Sequence, residues 1–155
     1  MIKVICAFPG VGKTYFVENC KDSKLTTCDS DSSKFSWIAG PGSPRNTEFP
    51  TNYIKHIQEK MNEVDFVLCS THKAVRAALV AAGIKFHLVY PDKELKEEYL
   101  ERFKVRGNDQ KFINVMKSQW DNFIDDLEKQ EGCVKTELGA GVYLADTIQT
   151  LTDKE

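Results

Sequence analysis

Ala7-Phe8-Pro9-Gly10-Val11-Gly12-Lys13-Thr14 decides how the rest of the chain is read, because it joins a short apolar run to a helical pattern through two glycines and a lysine. Upstream, Ile2 to Phe8 is brief, β-branched and stopped by Pro9-Gly10, which predicts a buried strand. Downstream, the pattern from Lys13 to about Cys20 is helical. A Gly-Lys-Thr triplet between a strand and a helix has the spacing of a Walker A loop. Glycines let successive backbone N–H groups converge on phosphate oxygens, and the start of the helix adds the positive end of its dipole. Gly10, Val11, Gly12, Lys13 and Thr14 are therefore the predicted binding residues for the phosphates of a nucleoside triphosphate. Lys13 reaches the outer phosphates and Thr14 offers its hydroxyl to Mg²⁺. Ala7 stands where the motif usually begins with glycine, and its side chain is small enough to be tolerated there.

Working outward, Leu25 to Cys28 reads as a second strand feeding the polar cluster Asp29-Ser30-Asp31-Ser32-Ser33. Residues 36–50 are rich in Gly and Pro and read as an insertion, followed by a helix from about Thr51 to Asn62. Asp65 to Cys69 predicts a third strand, Lys73 to Ala82 a helix closed by Gly83, and Ile84 to Tyr90 a fourth strand ended by Pro91. A charged helix over Asp92 to Val105 is broken at Gly107-Asn108. A long helix follows, with Phe112, Ile113, Met116, Trp120, Phe123, Ile124 and Leu127 on one face, which predicts core for Trp120 and Phe123. Cys133 to Thr136 reads as a weak fifth strand and Leu144 to Leu151 as a short last helix. Short strands alternating with helices predict an α/β fold with a parallel sheet covered on both faces, whose ligands bind at the carboxyl ends of the strands.

The bulk properties agree with one domain over residues 1–155. The 21 basic and 23 acidic residues nearly cancel, so the overall charge calls for neither nucleic acid nor an anionic membrane as partner. The five cysteines lack a C-x-x-C pair and sit in or beside apolar runs, which suits reduced thiols and predicts a cytoplasmic setting. No stretch has the length of a membrane span, and no signal-peptide pattern opens the chain. The oligomeric state is left open.

The other strand ends supply further candidates. Asp29 and Asp31 follow the second strand, where a carboxylate can hold a metal-bound water or a substrate hydroxyl, or else form an Asx-rich turn. Ser70-Thr71-His72 follows the third strand where a Walker B aspartate would stand, and Asp65 lies at the wrong end of that strand. His72 reads either as a ligand contact or as a helix-capping neighbour. Arg102 and Arg106 are four apart and so share a helix face, suited to clamping a transferring phosphoryl group. The competing reading is a solvated helix with Arg102 paired to Glu98. Arg45 in the insertion is placed to hold the phosphate of an acceptor, with Phe49, Asn52 or Tyr53 at its base. His56 and His87 read as a surface and a core residue.

With the loop Phe8 to Thr14, the Asp29-Ser30-Asp31-Ser32-Ser33 cluster, and Tyr90-Pro91 followed by Glu98-Tyr99-Leu100-Glu101-Arg102 and Arg106-Gly107, the sequence resembles the adenylate-kinase-like nucleoside monophosphate kinases. It is most similar to the small forms found in bacteriophages and their bacterial hosts. The resemblance implies a P-loop three-layer α/β/α fold with strand order 2-3-1-4-5. It also implies an acceptor-binding insertion at about residues 32–62, a lid at about 92–112, and an adenine-contacting loop at Leu138 to Val142. The implied reaction is transfer of the γ-phosphoryl group of ATP to a nucleoside or deoxynucleoside monophosphate, with Mg²⁺ bridging the donor phosphates. Lys13, Arg102 and Arg106 are then the expected catalytic residues. Asp29, Asp31, Arg45, Tyr53 and His72 are expected at the acceptor, and Thr14 and Asp29 at the metal. The lid is short and lacks zinc-binding cysteines, and no signature for AMP is present. Two alternatives remain: the same fold acting on a hydroxyl acceptor, whether a small molecule or a polynucleotide end, and a non-catalytic ATP-binding regulatory protein.

Overall fold

The computed structural model describes residues 2–30, 44 and 46–147. Asp31 and Arg45 lie outside the described residues, as do most of the insertion and the end of the last predicted helix. Among the described residues the chain alternates strand and helix: β1 (Val4–Ala7), α1 (Lys13–Asp22), β2 (Thr27–Asp29), α2 (Thr51–Met61), β3 (Phe66–Cys69), α3 (Lys73–Ala81), β4 (Phe86–Pro91), α4 (Lys96–Val105), α5 (Gln110–Glu128) and β5 (Val134–Leu138). Short 3₁₀ turns precede α4 at Lys93–Leu95 and follow β5 at Leu144–Thr147.

The strands form one parallel sheet in the order β2-β3-β1-β4-β5. Burial follows position in that order. Every residue of β1, β3 and β4 is buried, as continuous apolar runs require when both faces are covered, whereas the edge strand β5 alternates half-buried and exposed residues. Side chains alternate faces along each strand. Phe66 takes the edge of Phe16 from α1 at 5.6 Å between ring centroids, while Cys69 faces the opposite way, beside Tyr53 of α2. The helices thus cover both faces.

Helix ends match their residues. Gly83, in the left-handed region at φ +72°, closes α3. Asp109 caps α5 by accepting from the Phe112 backbone N–H at 2.8 Å. Near the loop after β1, Phe8, Tyr99 and Trp120 form an aromatic cluster with centroids 5.5 to 6.2 Å apart. The Trp120 indole N–H is satisfied by the Lys93 carbonyl at 2.7 Å.

Asp65 is indeed at the amino end of β3, and there it is structural. Its carboxylate accepts from the Thr26 backbone N–H at 2.8 Å and from the Thr26 hydroxyl at 3.0 Å, tying the entry of β2 to that of β3. These bonds, first the backbone one, hold its pKa below the ordinary value of 3.8. A depressed carboxylate pKa contributes stability that is present above the unfolded-state value and is lost as pH falls through the folded-state value. Denaturant unfolding is therefore expected to find Asp65→Ala less stable than the native protein at pH 7, with the difference shrinking below pH of about 4. An unchanged difference at low pH would remove the charge from this account.

Candidate active site

Because all five strands run parallel, the segments that follow them share one edge of the sheet. The loop after β1 has Gly10 and Gly12 both at φ +87°, a conformation open to glycine and strained for other residues. Gly12 is the N-cap of α1 and no side chain caps that helix, so the N–H groups of its first turn are left for another acceptor. Lys13 is half-buried and Thr14 exposed in that turn.

The segment after β5 is pinned onto this loop. The Leu144 backbone N–H donates to the Val11 carbonyl at 2.8 Å, and the Tyr143 ring lies against Gly12. A Cβ on Gly12 would stand 2.8 Å from the Tyr143 ring. Gly12→Ala is thus expected to combine backbone strain with a clash, costing about 1–3 kcal/mol of stability and weakening triphosphate binding. Calorimetric titration with ATP checks it, and native affinity in the Gly12→Ala variant would contradict the assignment of the loop.

Two cavities are lined in part by the loop and the start of α1. One, of about 450 Å³, is bounded by Gly12, Tyr15, Gly141, Tyr143 and Asp146, beside the segment expected to contact adenine. The other, of about 650 Å³, lies on the side of Lys13. Its polar lining includes Ser70, His72, Arg76 and Asp126, and Phe112, Met116 and Phe123 of α5 give it an apolar wall.

Several predicted residues sit elsewhere than expected. Arg102 is turned inward, only 13% of its side chain exposed, and donates to the Gly10 carbonyl at 2.8 Å. Its guanidinium is stacked between the rings of Tyr99 and Tyr143 at 4.3 and 4.2 Å, and Glu98 is 3.7 Å away. Arg106, at the end of α4, is exposed and lies 5.9 Å over Phe103. The two arginines therefore do not form a common clamp in this conformation: aromatic stacking and the carbonyl hold the first against the loop. Tyr53, expected at the acceptor, belongs to the core, fully buried with its hydroxyl donating to the Ser30 carbonyl. Burial pushes its pKa far up. His56, read as a surface residue, is half-buried and paired through Nε2 with the Ser30 hydroxyl at 3.0 Å. Asp29 ends β2 exposed, at the same edge as the loop but outside both cavities. His72 is exposed at the start of α3 and lines the larger cavity. Phe123, expected in the core, is 39% exposed and faces that cavity, because the apolar stripe of α5 is wider than its contact with the rest of the core.

Arg76 belongs to no motif, and the structure alone brings it to the site. It is 3% exposed, donates through Nε to the Thr71 carbonyl at 2.8 Å and through Nη1 to Gln130 at 2.7 Å, and pairs through Nη2 with Asp126. That pairing, with the charges of Arg76 and Lys73, holds the Asp126 carboxyl below its ordinary pKa against the opposing effect of burial. The one signal in the sequence is an arginine inside the otherwise apolar Ala74-Val75-Arg76-Ala77-Ala78-Leu79.

Comparison of the sequence with protein-family models and with curated proteins gives no match. Solved structures do match. A crystal structure of an uncharacterized protein from Eubacterium ventriosum ATCC 27560 superposes with a TM-score of 0.51 at 16% identity, covering 99% of both chains. A gluconokinase from Sinorhizobium meliloti 1021 superposes with a TM-score of 0.50 at 14% identity, covering 88% of this chain and 81% of that one. The fold is P-loop kinase-like. The strand order of this kinase-like fold agrees with the expected 2-3-1-4-5. Among its described residues no helix is long and apolar enough to cross a membrane, and no group of three or more His, Cys, Asp or Glu side chains could hold a metal ion.

Proposed function

We propose that this chain transfers the γ-phosphoryl group of ATP to a nucleoside or deoxynucleoside monophosphate. The observation that carries the reading is the pair of cavities at the start of α1, one lined by Gly12 and the other by Lys13, the next residue. In this reading the smaller cavity takes the donor nucleoside, the phosphates lie along Gly10 to Thr14, and the acceptor fills the larger cavity. Its apolar wall suits a base, and Lys13 and the nearby Lys73 suit an anionic group.

Catalysis then rests on positioning and charge. Lys13 meets the oxygens of the transferring group. Arg102 acts from beneath, fixing the Gly10 carbonyl and so the course of the loop. Arg106 is the cation at the end of α4 left to approach the phosphates when the lid closes and excludes water. Thr14, an exposed alcohol at the start of α1, and Asp29, an exposed carboxylate at the end of β2, are the oxygen ligands that would hold Mg²⁺, a hard cation that otherwise keeps water and substrate oxygens. When bound it supplies neutralisation of donor phosphate charge.

A second reading is a hydroxyl acceptor. It is favoured by the position of Asp29, an exposed carboxylate at the end of β2, and by the likeness to a gluconokinase. A coupled assay of ADP formation with ATP, Mg²⁺ and each ribo- and deoxynucleoside monophosphate, set beside sugars and sugar acids, separates the two. ADP formation that depends on a monophosphate and disappears in Lys13→Ala is expected. Dependence on an alcohol instead would transfer the assignment, and no acceptor dependence at all would end it.

A further inference from the structure

Arg76, itself buried, and the partly exposed Asp126 line the larger cavity and link the segment after β3 to the last turns of α5. An ion pair with one partner buried is a poor source of net stability, since desolvation consumes much of the attraction. Its geometry here leaves hydrogen-bonding capacity in hand. A guanidinium has five N–H donors. Three of those of Arg76 are engaged among the described residues, which leaves two. One oxygen of Asp126 accepts from Arg76, while the other has Lys73 Nζ only at 4.0 Å, beyond hydrogen-bonding distance. The side chain of Asp126 is 39% exposed, and both residues line the cavity. The lining of the cavity thus sets a guanidinium and a carboxylate side by side along with the Phe112, Met116 and Phe123 wall.

We propose that the Arg76–Asp126 pair is the specificity-determining element of the acceptor site, reading the hydrogen-bonding edge of a nucleobase whose faces lie on the α5 wall. This rests on the function proposed above. On the pairing edge, adenine and cytosine set an exocyclic donor beside a ring acceptor and guanine and uracil the reverse, so a donor and an acceptor held in one order tell the two classes apart, and bases held between apolar side chains are commonly read there. A fixed pair of polar groups rejects ligands that leave it unpaired. Lys13 and the loop deal with phosphate, and this pair deals with the base.

Asp126→Asn tests the division. Asparagine keeps the size and accepts from Arg76, but turns the second acceptor into a donor. Calorimetric dissociation constants are to be compared for the preferred monophosphate, the other monophosphates, ribose 5-phosphate and ATP, in the native protein, Asp126→Asn and Arg76→Lys. Expected are about a tenfold loss for the preferred monophosphate and an altered order among the bases, with ATP and ribose 5-phosphate within about twofold of native. A pair that served only as a strut would lower the melting temperature and shift all ligands together, leaving the order of bases intact, and that result overturns the proposal. Native protein that binds monophosphates and variants that keep its preference overturn the inference alone. Native protein that binds no monophosphate overturns the proposed function and the inference with it. Should Asp126→Asn fail to fold, Arg76→Lys, which keeps the charge and loses the planar fork, separates the same outcomes.

Discussion

Replacing Lys13 with alanine is expected to slow phosphoryl transfer by about a thousandfold while the folded structure survives. Lys13 opens α1 at the loop, half-buried, and lines the larger cavity. No salt bridge among the described residues involves it, so its removal breaks no ion pair among them. Alanine is a good helix former, so α1 should remain. In the proposed reaction, what disappears is the cation that meets charge developing on the transferring group. Steady-state kinetics with circular dichroism on the same sample checks both halves of the expectation. A variant with a rate within tenfold of native would mean that the loop holds no reacting phosphate.

The largest effect on stability is expected from Trp120→Ala. Trp120 is fully buried, shares the aromatic cluster with Phe8 and Tyr99, and satisfies the Lys93 carbonyl. Truncating such a residue costs about 3–5 kcal/mol, and the stranded carbonyl adds to it. Domains of ordinary stability have only about 5–15 kcal/mol to lose. Because Tyr99 of the cluster and the neighbouring Phe103 lie 3.1 and 3.0 Å from where a Gly10 Cβ would stand, the cavity left should also loosen the loop after β1. Denaturant unfolding and ATP titration are expected to show both losses. Destabilisation below about 1 kcal/mol would contradict the packing described.

What can be read from the residues alone is set by how local the physics is. β1, the loop and α1 are legible because an apolar run, a Pro-Gly stop, two glycines and a lysine act within a few residues of one another. The alternation of strands with helices carries the parallel sheet in the same way. β5 is harder: read at Cys133 to Thr136, it runs over Val134–Leu138, where Lys135 and Glu137 alternate with half-buried neighbours on an exposed edge. The 3₁₀ turn at Lys93–Leu95, which delays α4 to Lys96, follows Asp92, whose side chain accepts from the Glu94 N–H.

Side-chain destinations that depend on distant partners are not legible. Arg102 finds the Gly10 carbonyl 92 positions away, and Arg76 finds Asp126 across 50 positions. Tyr53 is expected at a ligand because its segment follows the insertion, yet its ring faces the core and its hydroxyl answers Ser30. Phe123 has core spacing on α5 but lines the cavity, since periodicity assigns a face without saying what lies opposite.

Phosphorus NMR of the protein with ATP, Mg²⁺ and a nucleoside monophosphate that raises its melting temperature follows the phosphoryl group itself. The γ-phosphate signal of ATP is expected to fall while the monophosphate signal is replaced by that of its own diphosphate, with no matching growth of free phosphate, and Lys13→Ala is expected to stop the exchange. Growth of free phosphate at the same rate with and without the monophosphate would contradict transfer to the monophosphate.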